Sequence, residues 1–184
     1  MLDYYGEETR AERTGRLIME LADKFLEAMD VRDNPDCFYL QVACLREEVN
    51  EALEAYNAWM EPEEQPEVSI FENLLKEIGD CYFIFGSLSA LNEDGFGDLD
   101  AYEEVDRLAA VLDAGGVTEV LDHYEDSSGY FALLDIVEEV TRSNLSKLDD
   151  NGKPIRREDG KVLKGPNYSP ADMKPIAQKL LRIQ

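Results

Sequence analysis

Histidine is almost missing from this chain: His123 is the only one among 184 residues. With one imidazole and no Cys-x-x-Cys pair, thiolate-imidazole zinc sites, Ser-His-Asp hydrolysis and HExxH chemistry have no ligands to use. Cysteine is scarce too. Three cannot all pair within one chain, and Cys37 and Cys44 fall in helical-looking sequence where small apolar side chains suit, so buried reduced thiols are expected. Basic residues are few: 18 Lys and Arg against 41 Asp and Glu leave a net charge of −23. Such a chain repels a phosphate backbone, which excludes nucleic-acid or anionic-membrane binding through a basic surface. No window approaches the ~20 apolar residues that a membrane span needs, and Met1 to Glu8 has neither a basic start nor an apolar run. The expectation is a cytoplasmic protein with no membrane partner and no nucleic-acid partner.

What is present is enough apolar material, 44% of residues, for one core, and a length near that of one domain. Apolar positions at Leu17 or Ile18, Leu21, Phe25 and Ala28 or Met29 mark a helix over residues 8–29, ended by Asp33-Asn34-Pro35. A second helix opens after Pro35 and runs to about Met60 with Phe38, Val42, Leu45, Val49, Leu53 and Tyr56 on one stripe. A third, about 67–91, carries Ile70, Leu74, Glu77, Cys81, Ile84, Leu88 and Leu91 on a bundle seam. One of those seam residues is a glutamate.

From Asn92 to Glu139 the chain holds fifteen acidic residues and one basic residue, Arg107, with short helices expected at about 99–114 and 117–125. A helix over about 128–148 turns Leu133, Val137 and Val140 inward, and the same face continues into Asn144 and Lys147. The charge then reverses: residues 142–182 hold ten Lys and Arg against five Asp and Glu. Within that tail, Asp159-Gly160 between β-compatible arms predicts a small hairpin, and Ser169-Pro170-Ala171-Asp172 predicts the cap of a last helix reaching Leu181. The fold class is therefore all-α: one domain over residues 1–184, a four-helix-bundle core with an acidic helical insertion and a basic C-terminal hairpin plus helix.

The chemistry lies in Glu47-Glu48-x-x-Glu51 and Glu77-x-x-Asp80. At about 100° per residue, Glu48 and Glu51 are about 60° apart and Glu47 about 40° from Glu51, so the three share one quadrant. Glu77 lies on the seam of the next helix with Asp80 beside it. Unpaired carboxylates on an inward face cost several kcal/mol or become neutral, so a cluster of them calls for a cation. Arg46 and Lys76 are offset by about 100° from Glu47 and Glu77, which favours a hard metal with oxygen ligands, Mg²⁺ or Mn²⁺. A ferritin-like di-iron site would need Glu-x-x-His twice, and no EF-hand loop is present.

These residues carry a resemblance. Leu45-Arg46-Glu47-Glu48-Val49-Asn50-Glu51, twenty-five residues, then Glu77-Ile78-Gly79-Asp80, resembles the EExxE…ExxD signature of the all-α nucleoside triphosphate pyrophosphohydrolases. That superfamily includes MazG-like enzymes, dimeric dUTPases and phosphoribosyl-ATP pyrophosphohydrolases. Glu139-Val140-Thr141-Arg142-Ser143-Asn144-Leu145-Ser146-Lys147, with Asp159-Gly160-Lys161 and Lys164-Gly165-Pro166-Asn167-Tyr168 beyond it, is similar to the C-terminal segment of MazG-like proteins, phage-encoded ones included. The resemblance spans roughly residues 35–91 and 131–178.

It implies Mg²⁺-dependent hydrolysis of a nucleoside triphosphate to monophosphate and pyrophosphate, serving to cleanse or reshape a nucleotide pool, with dUTP, dGTP or a non-canonical dNTP as substrate. By position, Glu48, Glu51, Glu77 and Asp80 match the metal ligands, and Glu47 matches an acid that orients or deprotonates the attacking water. Asn144, Lys147, Arg157, Lys161 and Lys164 are candidates for the outer phosphates, and Tyr168 for stacking on the base. The tail cations serve equally as a solvated hairpin that neutralises the acidic neighbour. A homodimer or homotetramer is implied as well. The insertion of about 92–128 departs from the family pattern. The contrasting reading is a non-enzymatic acidic binding protein that mimics DNA; phosphoribosyl-ATP hydrolysis is a third.

Overall fold

Thr9 starts the first helix. Its hydroxyl accepts from the Glu12 amide at 3.3 Å while the Glu12 carboxylate accepts from the Thr9 amide at 2.8 Å, a capping box at the head of α1, Arg10–Ala28. The computed structural model describes residues 9–32, 36–60, 68–91, 99–114, 132–158 and 162–181. α1 closes on Asp30, whose φ of 52° lets the Asp30 and Val31 amides return to the carbonyls of Glu27 and Leu26 at 3.0 and 3.3 Å. The helix thus stops before Asp33-Asn34-Pro35, which lies outside the described residues.

α2 (Cys37–Met60) and α3 (Val68–Leu91) occupy the spans their periodicity predicts. α4 (Leu99–Ala114) realises the first helix expected in the acidic insertion; the second, at 117–125, lies outside the described residues. α5 (Ala132–Leu145) and α6 (Lys174–Leu181) follow, and the whole is all-α. Among the described residues the β-structure is limited to single antiparallel pairs, Leu148 with Pro154 and Arg156 with Val162. The second pair, with the Leu163 amide donating to the Ile155 carbonyl at 2.7 Å, joins the arms of the expected hairpin, whose Asp159-Gly160 turn is outside the described residues.

α3 is the axis of the bundle, in contact with α1, α2, α5 and α6. Its seam residues Leu74, Glu77, Cys81, Ile84 and Leu88 are buried as expected, and so are Phe71, Leu75, Ile78, Phe83, Ser87 and Ala90. A helix enclosed on most sides has no single apolar stripe. On α2 the buried line runs Val42, Leu45, Val49, Ala52 and Ala55, so alanines replace the larger Leu53 and Tyr56 at the closest approach to α3. α4 lies on the flank of α2, where Arg46 pairs with Glu104 at 3.0 Å and Arg107 donates to the Asn50 side chain at 2.7 Å. Among the described residues no helix is long and apolar enough to cross a membrane.

Two glycines on α3 set its distances to its neighbours. A Cβ on Gly79 would lie 2.7 Å from the Cγ2 atoms of Ile136 and Val140 on α5; one on Gly86 would lie 2.9 Å from Ile18 Cγ2 and 3.1 Å from the Ile18 carbonyl on α1. Backbone cannot step aside as a side-chain tip can. We expect Gly86→Ala to destabilise the fold by about 1–3 kcal/mol through overpacking. Gly15→Ala, on an open stretch of α1 where nothing lies within 4 Å, should stabilise it by about 0.5–1 kcal/mol. Urea melts of the two variants check both signs, and an unchanged midpoint for Gly86→Ala would show that α1 is not held at that distance.

Candidate functional site

Burial of Leu45, Val49 and Ala52 fixes the rotation of α2 and leaves Glu48 and Glu51 along one edge of the buried face. On α3, Glu77 stands between Leu74 and Cys81 in the enclosed seam and is only 6% exposed. Carboxylate oxygens of Glu48, Glu51 and Glu77 all lie within 4.8 Å of one another. Asp80 sits one turn along α3 from Glu77. Burial, then the charges of Asp80 and Glu51, push the Glu48 carboxyl up to about 7. Glu77 is also raised, by burial first, although the ammonium of Lys76 pulls the other way.

That ammonium corrects the expectation that no cation of the chain reaches the acids. Lys76 Nζ lies 2.8 Å from Glu77 Oε2 and 2.9 Å from Asp80 Oδ2. The helical offset of its Cα is real, but four methylenes and a flexible tip span it. Burial opposes the charge on Lys76, and Asp80 and Glu77 more than offset this, so its ammonium is held above the ordinary lysine range. Lys76 pairs with Glu77 and Asp80, and Glu48 stays raised, by burial first and by its acidic neighbours second.

Beside the acids opens a cavity of about 460 Å³, within the ~300–1,000 Å³ usual for small-molecule sites. Glu48, Lys76 and Asp80 line it, as do Asn144 near the end of α5, Lys147 in the turn just past it, and Lys164 and Tyr168 from the tail. Lys147 donates to the Asn144 side-chain oxygen at 2.6 Å, and burial lowers its pKa against the pull of Asp80, Tyr168 and Glu48. Lys164 Nζ stands 4.4 Å from the centre of the Tyr168 ring. Phe25, Phe83, Ile84, Val140 and Ala171 supply an apolar part, with Gln41 and Cys44 at its polar margin.

The tail wall is hung from α5 by its backbone. Ser146 Oγ accepts from the Ser169 amide at 2.8 Å, Arg142 donates to the Pro170 carbonyl at 2.8 Å, and Glu139 accepts from the Asp172 amide at 2.7 Å. Arg142 also grips Glu139 through two hydrogen bonds of 2.7 and 2.8 Å, which lowers the Glu139 pKa. The Arg142 guanidinium occupies the Pro170 carbonyl, which a helix would have offered to the Lys174 amide, and that amide turns to the Asp172 carboxylate at 3.2 Å, so α6 begins only at Lys174. This corrects the expected helix start at Ser169. Gly165 makes the crossing feasible, since a Cβ there would meet the Lys147 carbonyl at 2.6 Å. α5 likewise ends at Leu145 rather than near 148, because residues 149–153 form a turn with Gly152 at φ 72°.

Two other expectations fare differently. Glu47 is exposed and belongs neither to the carboxylate cluster nor to the cavity wall, whereas Glu51, also exposed, does reach the cluster. Arg157 is exposed and outside the wall, and Lys161 lies outside the described residues. Cys37 and Cys81 are buried as expected, whereas Cys44 is exposed. Lys76, Gln41 and Phe25 were not singled out for the site by sequence, because the signals that mark them, stem length and the facing of α1 against α2, are tertiary. No protein-family model, curated protein or solved structure matches this chain.

The charge imbalance has a pH signature. Glu48 titrates above its ordinary value of 4.5, at about 7, so it contributes stability when protonated, and that contribution is lost as pH rises through its folded value. Asp135, raised to about 6 by burial and Glu138, acts with the same sign. We expect the melting temperature of protein stripped with EDTA to rise as pH falls from about 8 to about 6, and the slope to flatten in Glu48→Gln. An equal slope in both proteins would remove Glu48 as its source.

Proposed function

We propose that this chain is a divalent-metal-dependent nucleoside triphosphate pyrophosphohydrolase, releasing pyrophosphate and a nucleoside monophosphate. The observation that carries the reading is the convergence of Glu48, Glu51 and Glu77 within 4.8 Å beside a cavity whose other wall presents Lys147 and Lys164. The donor set suits Mg²⁺ or Mn²⁺: it is all carboxylate, with Glu77 buried, Glu48 half-buried and Glu51 exposed at the rim, and Lys76 pairs with Glu77 and Asp80. A bound ion of this kind neutralises triphosphate charge and makes a coordinated water acidic.

The chain's own groups divide the remaining work. Glu48, Glu51 and Glu77 would hold the cation, with Asp80 one turn along α3 as a further carboxylate for it. Lys147, kept in place by Asn144, and Lys164, kept over Tyr168, meet the outer phosphates that a chain of net charge −23 otherwise repels. The apolar part between Phe25, Phe83 and Val140 suits a nucleobase, with the Gln41 amide in reach of the same space. Glu47 has no part in this arrangement. A DNA mimic would carry its acids outside, and a Glu77 that is 6% exposed speaks against it.

Pyrophosphate release across a panel of NTPs and dNTPs with Mg²⁺ tests the reading. Glu48→Gln and Glu77→Gln should each lower turnover by more than about 100-fold with melting temperature unchanged or raised in EDTA. Near wild-type activity in Glu77→Gln would place the chemistry elsewhere. Lys164→Ala should raise KM about tenfold while altering stability by less than ~0.5 kcal/mol. An unchanged KM would free Lys164 from phosphate contact.

A further inference from the structure

We propose that Lys76 is a built-in counter-ion that a divalent cation must displace, and that its ammonium, once displaced, turns to the phosphates of the substrate. The inference rests on the pyrophosphohydrolase reading and adds an order to it: cation in, lysine out, triphosphate held by the lysine.

Three observations carry it. Lys76 Nζ bridges Glu77 and Asp80 at 2.8 and 2.9 Å, so it occupies oxygens that a metal would use. Its side chain is 41% exposed against 8% and 19% for those two partners, so the lysine is the partner with room to move. It also lines the cavity together with Lys147 and Lys164, so a swing away from the acids leaves it facing the same space as the other two ammonium groups. Exchange of one positive charge for two among four acids favours the swap. Three ammonium groups around one cavity then suit a polyanion better than two. Metal and triphosphate binding become positively coupled through a single side chain, with no movement of the helices.

Lys76→Met keeps the stem and removes the charge; Lys76→Arg keeps a charge as a control for folding. Mn²⁺ affinity, read by calorimetry without nucleotide, should tighten roughly tenfold in Lys76→Met and stay near wild type in Lys76→Arg. A non-hydrolysable triphosphate should strengthen Mn²⁺ binding to wild type clearly more than to Lys76→Met. Mn²⁺ binding no tighter in Lys76→Met than in wild type, or equal coupling in both, would overturn the inference and leave the pyrophosphohydrolase reading standing. A wild-type protein that binds Mn²⁺ no better than Glu48→Gln would overturn both.

Discussion

α3 is enclosed by α1, α2, α5 and α6, so any polar group it carries has to be answered within the bundle. Water does not reach Glu77 freely, and the nearest cation on the chain is its own neighbour, Lys76. Two further glutamates, Glu48 and Glu51, arrive from α2, which packs along α3 with Leu45, Val49, Ala52 and Ala55 buried. Tight helix packing and charge crowding are thus one fact seen twice. The packing that gives the bundle its core buries Glu77 and half-buries Glu48 and Asp80, and Glu51 alone of the four stays exposed.

The other half of the site depends on a different device. α5 buries Ile136, Val137 and Val140, and it turns Asn144 and Lys147 to the cavity as the apolar face runs out. Its Glu139, Arg142 and Ser146 fall at spacings of three and four, and they hold the backbone of residues 169–172. α5 and the turn that follows it therefore place Lys147 and also hang the segment that brings Tyr168 and Lys164 to the cavity. Arg156, which donates to the carbonyl of Met29, ties the preceding hairpin arm to the end of α1.

Much of this was legible from periodicity. The spans of α2 and α3, the inward Glu77 and the polar end of α5 all follow from 3.6-residue spacing, because each helix has neighbours on a definite side. Legibility failed where tertiary contacts overrode local signals. Ser169-Pro170 reads as a helix cap, yet α5 side chains claim its backbone first. Lys76 reads as pointing away, yet its stem is long enough to come back. Glu47 shares a quadrant with Glu51 on a helical wheel, yet Glu51 reaches the cluster and Glu47 does not, a difference the wheel does not carry. α5 stops three residues short of its expected end because the Lys147 and Leu148 amides tighten onto the carbonyls of Asn144 and Leu145, a change that helical periodicity conceals.

Because residues 169, 170 and 172 are gripped through amides and carbonyls, their anchoring does not depend on which side chains they carry. Pro170 and Ala171 line the cavity all the same. Retention and recognition are thereby written on separate atoms. Sequence drift at 170 and 171 re-lines the chamber while the segment stays moored, and related chains with altered ligand preference should differ there before they differ among the acids.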